Sequence, residues 1–148
     1  MADYGLDKNL YLKAIVEIRA DYESKHPVHP SIKAQMEARL QQSAESSFSM
    51  MWHSAVQMHE GHRAHRAKPP MKINPLDPVR LAKLRPEDQA EAKKRHTEME
   101  AGFQKDIAER QKVFDDHHRT MLVSLMKQSG MSMPTAQKIV DEHILSHQ

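Results

Sequence analysis

The 148-residue sequence contains no cysteine. This absence excludes disulfides, thiolate metal sites and cysteine nucleophiles, and it leaves the redox compartment undetermined. Apolar runs are only a few residues long, far short of the roughly 20 residues that cross a bilayer, so we expect a soluble chain with no membrane span. The first residues, MADYGLDKNLYLK, lack an Arg-rich or apolar targeting pattern. We therefore expect a cytoplasmic protein.

Aromatic side chains are scarce, with three Phe, three Tyr and one Trp, and only 39% of the residues are apolar. This composition is lean for a globule that must build its core alone. Eleven methionines make up part of the shortage, and their flexible thioether side chains suit adaptable interfaces. The composition therefore favours a protein that completes its core with a partner.

Glycine is also scarce, with four copies, and the eight prolines divide the chain into a few long segments. Apolar residues recur within these segments at three- and four-residue steps, and no alternating strand pattern or internal repeat is present. The serines at 43, 46, 47 and 49 predict fraying or a break in the second segment. The sequence predicts helices over 7–25, 31–67, 78–84, 86–129 and 134–146, with a proline-rich connector over 68–85.

These elements predict a single all-α domain over residues 1–148. Two long helices joined by such a connector most simply fold back on each other. The expected fold is an elongated helical hairpin or small bundle, in which the two long helices are antiparallel and the terminal helices are shorter.

Two apolar surfaces are candidates for protein contact. The first lies around the Met-rich segment 48–58, and the second is a stripe along 92–125 that spans about 140° of a helical wheel. Apolar stripes of this kind cover partner helices in coiled-coil fashion, although a monomeric hairpin could also use both internally. The candidate interface residues are Phe48, Met51, Trp52, Val56, Met58, Met99, Phe103, Ile107, Phe114, Met121 and Leu125.

Enzymatic signatures are missing from the sequence. It contains no nucleophile elbow and no phosphate-binding loop, so no small-molecule substrate is evident. A di-iron carboxylate bundle requires two E-x-x-H motifs, whereas the chain offers only ESKH beside Pro27 and an aspartate version, DDHH. We expect neither enzymatic activity nor a cofactor.

Eleven histidines invite a metal hypothesis. In MHEGHRAHRAK, residues His59, His62 and His65 follow at three-residue steps, which is typical of neighbouring ligands on a helix. The side chains of His59 and His65 point about 120° apart around the helix. Only an adjacent pair can therefore share one ion, and the other ligands must come from another part of the chain. The segment FDDHHR offers Asp115, Asp116, His117 and His118. The simpler interpretation places His117 in the packing stripe and His118 in solvent.

Positive charge is concentrated in residues 59–85. This segment contains seven Lys or Arg residues and two acidic residues, so its net charge is +5. Such a patch attracts phosphate backbones without reading sequence. No interleaved aromatics or DNA- or RNA-binding motif accompanies it, and cations near 63–68 also suit the end of a helix. The candidate anion contacts are Arg63, Arg66, Lys68, Lys72, Arg80, Lys83 and Arg85.

Together these patterns predict a non-enzymatic helical adaptor, scaffold or accessory subunit that binds another protein, or a second copy of itself, within a larger assembly. The first alternative is an accessory nucleic-acid-binding protein that uses the basic segment. The second is a histidine-based metal-binding protein.

Overall fold

The structure is a computed structural model that describes residues 4–147, and it is all-α over this range. It contains α1 (Lys8–Lys25), α2 (Pro30–Arg66), α3 (Pro78–Ala82), α4 (Pro86–Gln128) and α5 (Met133–Ile139), followed by a π-helical turn over Val140–Ile144. The all-α prediction is confirmed, as are the two long helices and the proline-containing connector between them. No helix among the described residues combines the length and the hydropathy that a membrane span requires.

Local chemistry sets the helix boundaries. The Asp7 carboxylate caps α1 by accepting a hydrogen bond from the Asn9 backbone N–H at 3.2 Å. Pro30 and Pro78 occupy the first turns of α2 and α3, where a missing N–H removes no intrahelical bond. The break expected near the serines of α2 is absent, because that helix is continuous from Pro30 to Arg66. Buried apolar residues interleaved with these serines stabilise the helix through packing, which outweighs local serine preferences.

Contacts divide the chain into two compact units. Unit 1 comprises residues 4–67 and 117–147 of the described range, and unit 2 comprises Lys68–Asp116. Unit 1 therefore contains α1, α2, the end of α4, α5 and the π-helical turn. Unit 2 contains the connector, α3 and the first part of α4.

In unit 1, α1 and α2 pair in antiparallel fashion. The Tyr11 and Phe48 ring centroids lie 5.0 Å apart at one end, and Lys33 Nζ lies 3.6 Å from a Glu23 carboxylate oxygen at the other. The core between the helices of this unit is apolar. Its buried residues are Tyr4, Leu10, Ala14, Ile15, Ile18, Ala44, Phe48, Met51, Trp52, Ala55, Leu122, Val123, Met126, Met131, Ala136, Ile139, Val140 and Ile144.

The end of α4 covers this core with a different face from the one that the sequence predicts. The structure buries His118, Leu122, Val123 and Met126. The predicted stripe passed instead through His117 and Met121, which are exposed, and through Leu125, which is half-buried. The buried face lies about one residue further along, a rotation of about 100°. The spacing of apolar residues predicts that α4 has an apolar face, but packing into the unit 1 core determines which residues form it.

The predicted last helix over 134–146 is two elements in the structure. Regular α-helix ends at Ile139, and the Leu145 N–H then donates to the Val140 carbonyl at 2.8 Å, a bond that spans five residues. This wider turn leaves both Val140 and Ile144 fully buried. It also carries the chain to His147, beside α2.

Unit 2 has little interior of its own. The ring Nε2 of His96 lies 2.9 Å from the Asn74 carbonyl oxygen, which ties the connector to α4. Among residues 86–116, all of which the structure describes, none is buried. This first part of α4 is therefore a long helical segment without a buried face.

Candidate functional site

His59 is the most deeply buried histidine described, with 1% of its surface exposed. It projects from α2 into the end of the unit 1 core. Its Nδ1 lies 3.0 Å from Nε2 of His118, on the last part of α4. Its other ring nitrogen, Nε2, contacts the carbonyl oxygen of His147. One imidazole thus joins three segments that are far apart in the sequence.

His62 follows one turn later on α2 and completes a group of three imidazoles. Its ring stacks on that of His118, with centroids 4.0 Å apart and planes 3° from parallel. One nitrogen from each of His59, His62 and His118 can be chosen so that all three lie within 4.8 Å of one another. His59 and His118 are buried, whereas His62 is half-buried. We call these three residues the histidine cluster.

Hydrogen bonding fixes the tautomer of His59. A carbonyl oxygen only accepts, so the His59 nitrogen that faces His147, Nε2, is the one that carries the proton. Burial lowers the pKa of His59, which favours the neutral imidazole. The lone pair of a neutral, Nε2-protonated His59 is on Nδ1 and points toward His118.

A second layer of contacts holds the histidine cluster from outside. His147 Nε2 donates to the Tyr4 carbonyl oxygen at 3.2 Å, and the two rings stack with centroids 4.5 Å apart. The Tyr4 hydroxyl donates to the Glu60 carboxylate, which also pairs with Arg63 at 3.1 Å. The hydrogen bond from Tyr4 lowers the pKa of Glu60, so this carboxylate stays ionised. Both ends of unit 1 are thereby tied to the turn of α2 that carries His59.

A surface cleft leads to the histidine cluster from solvent. Its lining includes His59 and His62, together with Arg63, Arg66 and Ala67 of the last turns of α2. The cleft therefore brings solvent to the turn of α2 that carries His59 and His62.

No protein-family model matches this chain, and no curated protein or solved structure matches it either. The histidine cluster places three imidazole nitrogens together, each of which can act as a metal ligand when its lone pair is free.

The structure brings together three of the five histidines that the sequence singles out. His59 and His62 are an adjacent pair on α2, and His118 comes from the segment FDDHHR. His65 and His117 are exposed and lie outside the histidine cluster. The expectation that His118 is solvated and His117 lies in the packing face is wrong, because the buried face of α4 passes through His118.

The candidate interface residues fall into two groups. Phe48, Met51 and Trp52 are buried in the unit 1 core, and Val56, Met58 and Leu125 pack against that core, so these six make contacts within the chain. The other candidate interface residues lie along α4 and are exposed or half-buried. Met121 belongs to unit 1, and the rest belong to unit 2. This second group is Met99, Phe103, Ile107, Phe114 and Met121.

The candidate anion contacts are all exposed. Arg63 pairs with Glu60, and Arg80 lies 3.9 Å from Asp77. Arg63 and Arg66 belong to unit 1, whereas the rest of the group, Lys68, Lys72, Arg80, Lys83 and Arg85, belongs to unit 2. Nucleic-acid binding by this group stays a prediction.

Two residues of the site have no signal in the sequence. Tyr4 and His147 lie near opposite ends of the chain, and only the folded path of α1 and the π-helical turn brings them to His59. A hydrogen bond from a ring to a backbone carbonyl cannot be predicted from residue types, because every residue has a backbone carbonyl.

Proposed function

We propose that this chain is a non-enzymatic helical subunit that binds a second copy of itself or another protein, within a larger assembly of the cytoplasm. The observation that carries the proposal is the first part of α4, a helix over 86–116 in which no residue is buried. Helices in water are stabilised mainly by packing of an apolar face, and local pairs such as Arg95 with Glu91, at 2.9 Å, contribute only a few tenths of a kcal/mol, roughly.

The apolar residues of this segment support a docking role. Met99 is 63% exposed, and Phe103 and Ile107 are half-buried on the same side of the helix. Large apolar side chains in a row on an exposed helix are typical of surfaces that a partner covers. We call Met99, Phe103 and Ile107 the α4 stripe.

The test measures the oligomeric state of the full chain by sedimentation velocity over a range of concentrations. We expect self-association, or binding of a hydrophobic dye by the monomer, and we expect Met99→Glu to reduce whichever is observed. The reason is that a carboxylate in the α4 stripe must lose its hydration when a partner covers it.

Ala101→Glu is the matched control, because Ala101 is exposed and lies about 160° from the centre of the α4 stripe on the same helix. It adds the same charge without touching the stripe, and it should leave association unchanged. A chain that stays monomeric at every concentration and binds no dye contradicts the proposal, as does an equal effect of both variants.

A further inference from the structure

We propose that His59, His62 and His118 bind a divalent transition-metal ion of the zinc class. This inference is independent of the proposed protein-binding role, because the histidine cluster lies in unit 1 and the α4 stripe lies in unit 2.

The spacing of the nitrogens fits one shared ion. Two imidazole nitrogens on a tetrahedral zinc ion, each at about 2.0–2.1 Å, are about 3.3 Å from each other. His59 Nδ1 and His118 Nε2 already lie 3.0 Å apart. The ligand nitrogens of the three residues lie up to 4.8 Å apart. This distance shortens if the half-buried His62 ring tilts away from its parallel contact with His118.

The orientation of His59 is the second observation. Metal-bound histidines almost always donate their other ring N–H to a carbonyl or carboxylate, which fixes the tautomer and turns the free lone pair toward the ion. The His147 carbonyl serves this role for His59, whose lone pair on Nδ1 faces His118. On metal binding, the proton on His118 Nε2 moves to its other nitrogen or to solvent, so that both lone pairs face the ion.

The donor set selects the class of metal. Three imidazoles without a carboxylate suit zinc, cobalt, nickel or copper, whereas magnesium and calcium require oxygen ligands. Three protein ligands leave a fourth position for water, which can enter by the cleft beside His59 and His62. The positive charge of Arg63 opposes a cation, but Arg63 is paired with the Glu60 carboxylate.

The experiment is a calorimetric titration of zinc into the untagged full chain at pH 7.5, with thermal melts recorded in parallel. We expect one zinc ion per chain and a higher melting temperature with zinc, because ligands that bind only the folded state stabilise it. Cobalt in place of zinc should give the visible absorption bands of a tetrahedral nitrogen site.

His62→Ala is the decisive variant, because His62 is not among the residues of the apolar core and we expect its loss to leave the fold intact. We expect it to weaken zinc binding by about 100-fold or more, since losing even an orienting partner costs about 10–100-fold. His118→Ala should do the same, with circular dichroism to verify folding. If that variant does not fold, His62→Ala alone decides the question.

The matched controls are His65→Ala and His117→Ala, which remove exposed histidines next to the histidine cluster. Both should bind zinc as the unaltered chain does. The inference is overturned if the unaltered chain binds no zinc, if His62→Ala binds as tightly as before, or if the controls weaken binding as much as His62→Ala does.

Discussion

The indole N–H of Trp52 is buried in the unit 1 core without a hydrogen-bond partner among the described residues. An unsatisfied buried donor costs about 1–3 kcal/mol in the free energy of unfolding. The ring itself stacks on Phe48, with centroids 6.0 Å apart, and meets Tyr4 edge-on. The aromatic surface of Trp52 therefore stabilises the core, while its polar atom opposes that stabilisation.

Replacing Trp52 separates these two effects. We expect Trp52→Ala to lower the free energy of unfolding by about 3–5 kcal/mol, because it removes the ring and leaves a cavity. Trp52→Phe keeps a ring and removes the unsatisfied N–H, so its cost should stay below about 1 kcal/mol. Urea denaturation followed by circular dichroism measures both values. Equal losses in the two variants would show that the indole N–H has a stabilising partner.

The histidine cluster shows how far residue patterns reach. The i, i+3 spacing of His59 and His62 placed them as neighbours on a helix, and the geometry of the wheel required further ligands from another segment. The identity of the third histidine depended on the rotation of α4. Periodicity favoured His117 for the inner face, but the packed face includes His118, because a helix turns by about 100° between neighbouring residues.

At the scale of elements, Gly130 ends α4 in a conformation that other residues rarely adopt. Its φ is 113°, and a Cβ built on it would lie 3.2 Å from the Ile18 Cα in α1. The Met131 N–H then donates back to the Met126 carbonyl at 3.4 Å. The glycine thus allows both the helix end and the close approach of α1.

Substitutions of Gly102, inside α4, and of Gly130, just after it, should change the free energy of unfolding in opposite directions. We expect Gly130→Ala to lower the free energy of unfolding by about 1–3 kcal/mol, through positive φ and the contact with α1. Gly102 lies within the helix, and a Cβ there would meet nothing within 4 Å. Gly102→Ala should therefore raise the helix stability by about 0.5–1 kcal/mol. Thermal denaturation compares the two, and a stabilising Gly130→Ala would contradict the account.

Helix boundaries were largely predictable because prolines and glycines mark them. Pro30, Pro78 and Pro86 each begin a helix, and Gly130 follows the end of α4. The π-helical turn was not predictable, because its five-residue bond arises from burying both Val140 and Ile144 in a core that the sequence does not display. Local signals define the ends of elements, whereas packing defines irregularities inside them.

At the scale of the whole molecule, unit 2 is inserted between two parts of unit 1. The chain leaves unit 1 after Ala67 and returns at His117, and the stacked rings of His62 and His118 bring α2 and α4 into side-chain contact near both points. The core residues all belong to unit 1. Unit 1 therefore has the contacts of an independently folding helical bundle.

Removal of residues 68–116 tests this independence. With a flexible loop of about six residues in their place, within the usual range for neighbouring helices, we expect a cooperative melting transition and a helical circular dichroism spectrum. Self-association should disappear, because the α4 stripe is deleted. An unfolded product would show that unit 1 depends on unit 2, and retained self-association would place the docking surface elsewhere.

The contact of His59 with His118 and with the His147 carbonyl joins residues 59 and 88 positions apart. During synthesis, α1 and α2 can pair early, but the core that they share with residues 118–147 stays incomplete until those residues have left the ribosome. Elongation adds about 5–20 residues per second, so this wait lasts for seconds. The nascent chain therefore exposes part of the apolar surface of the α1–α2 pair before the last helices are made.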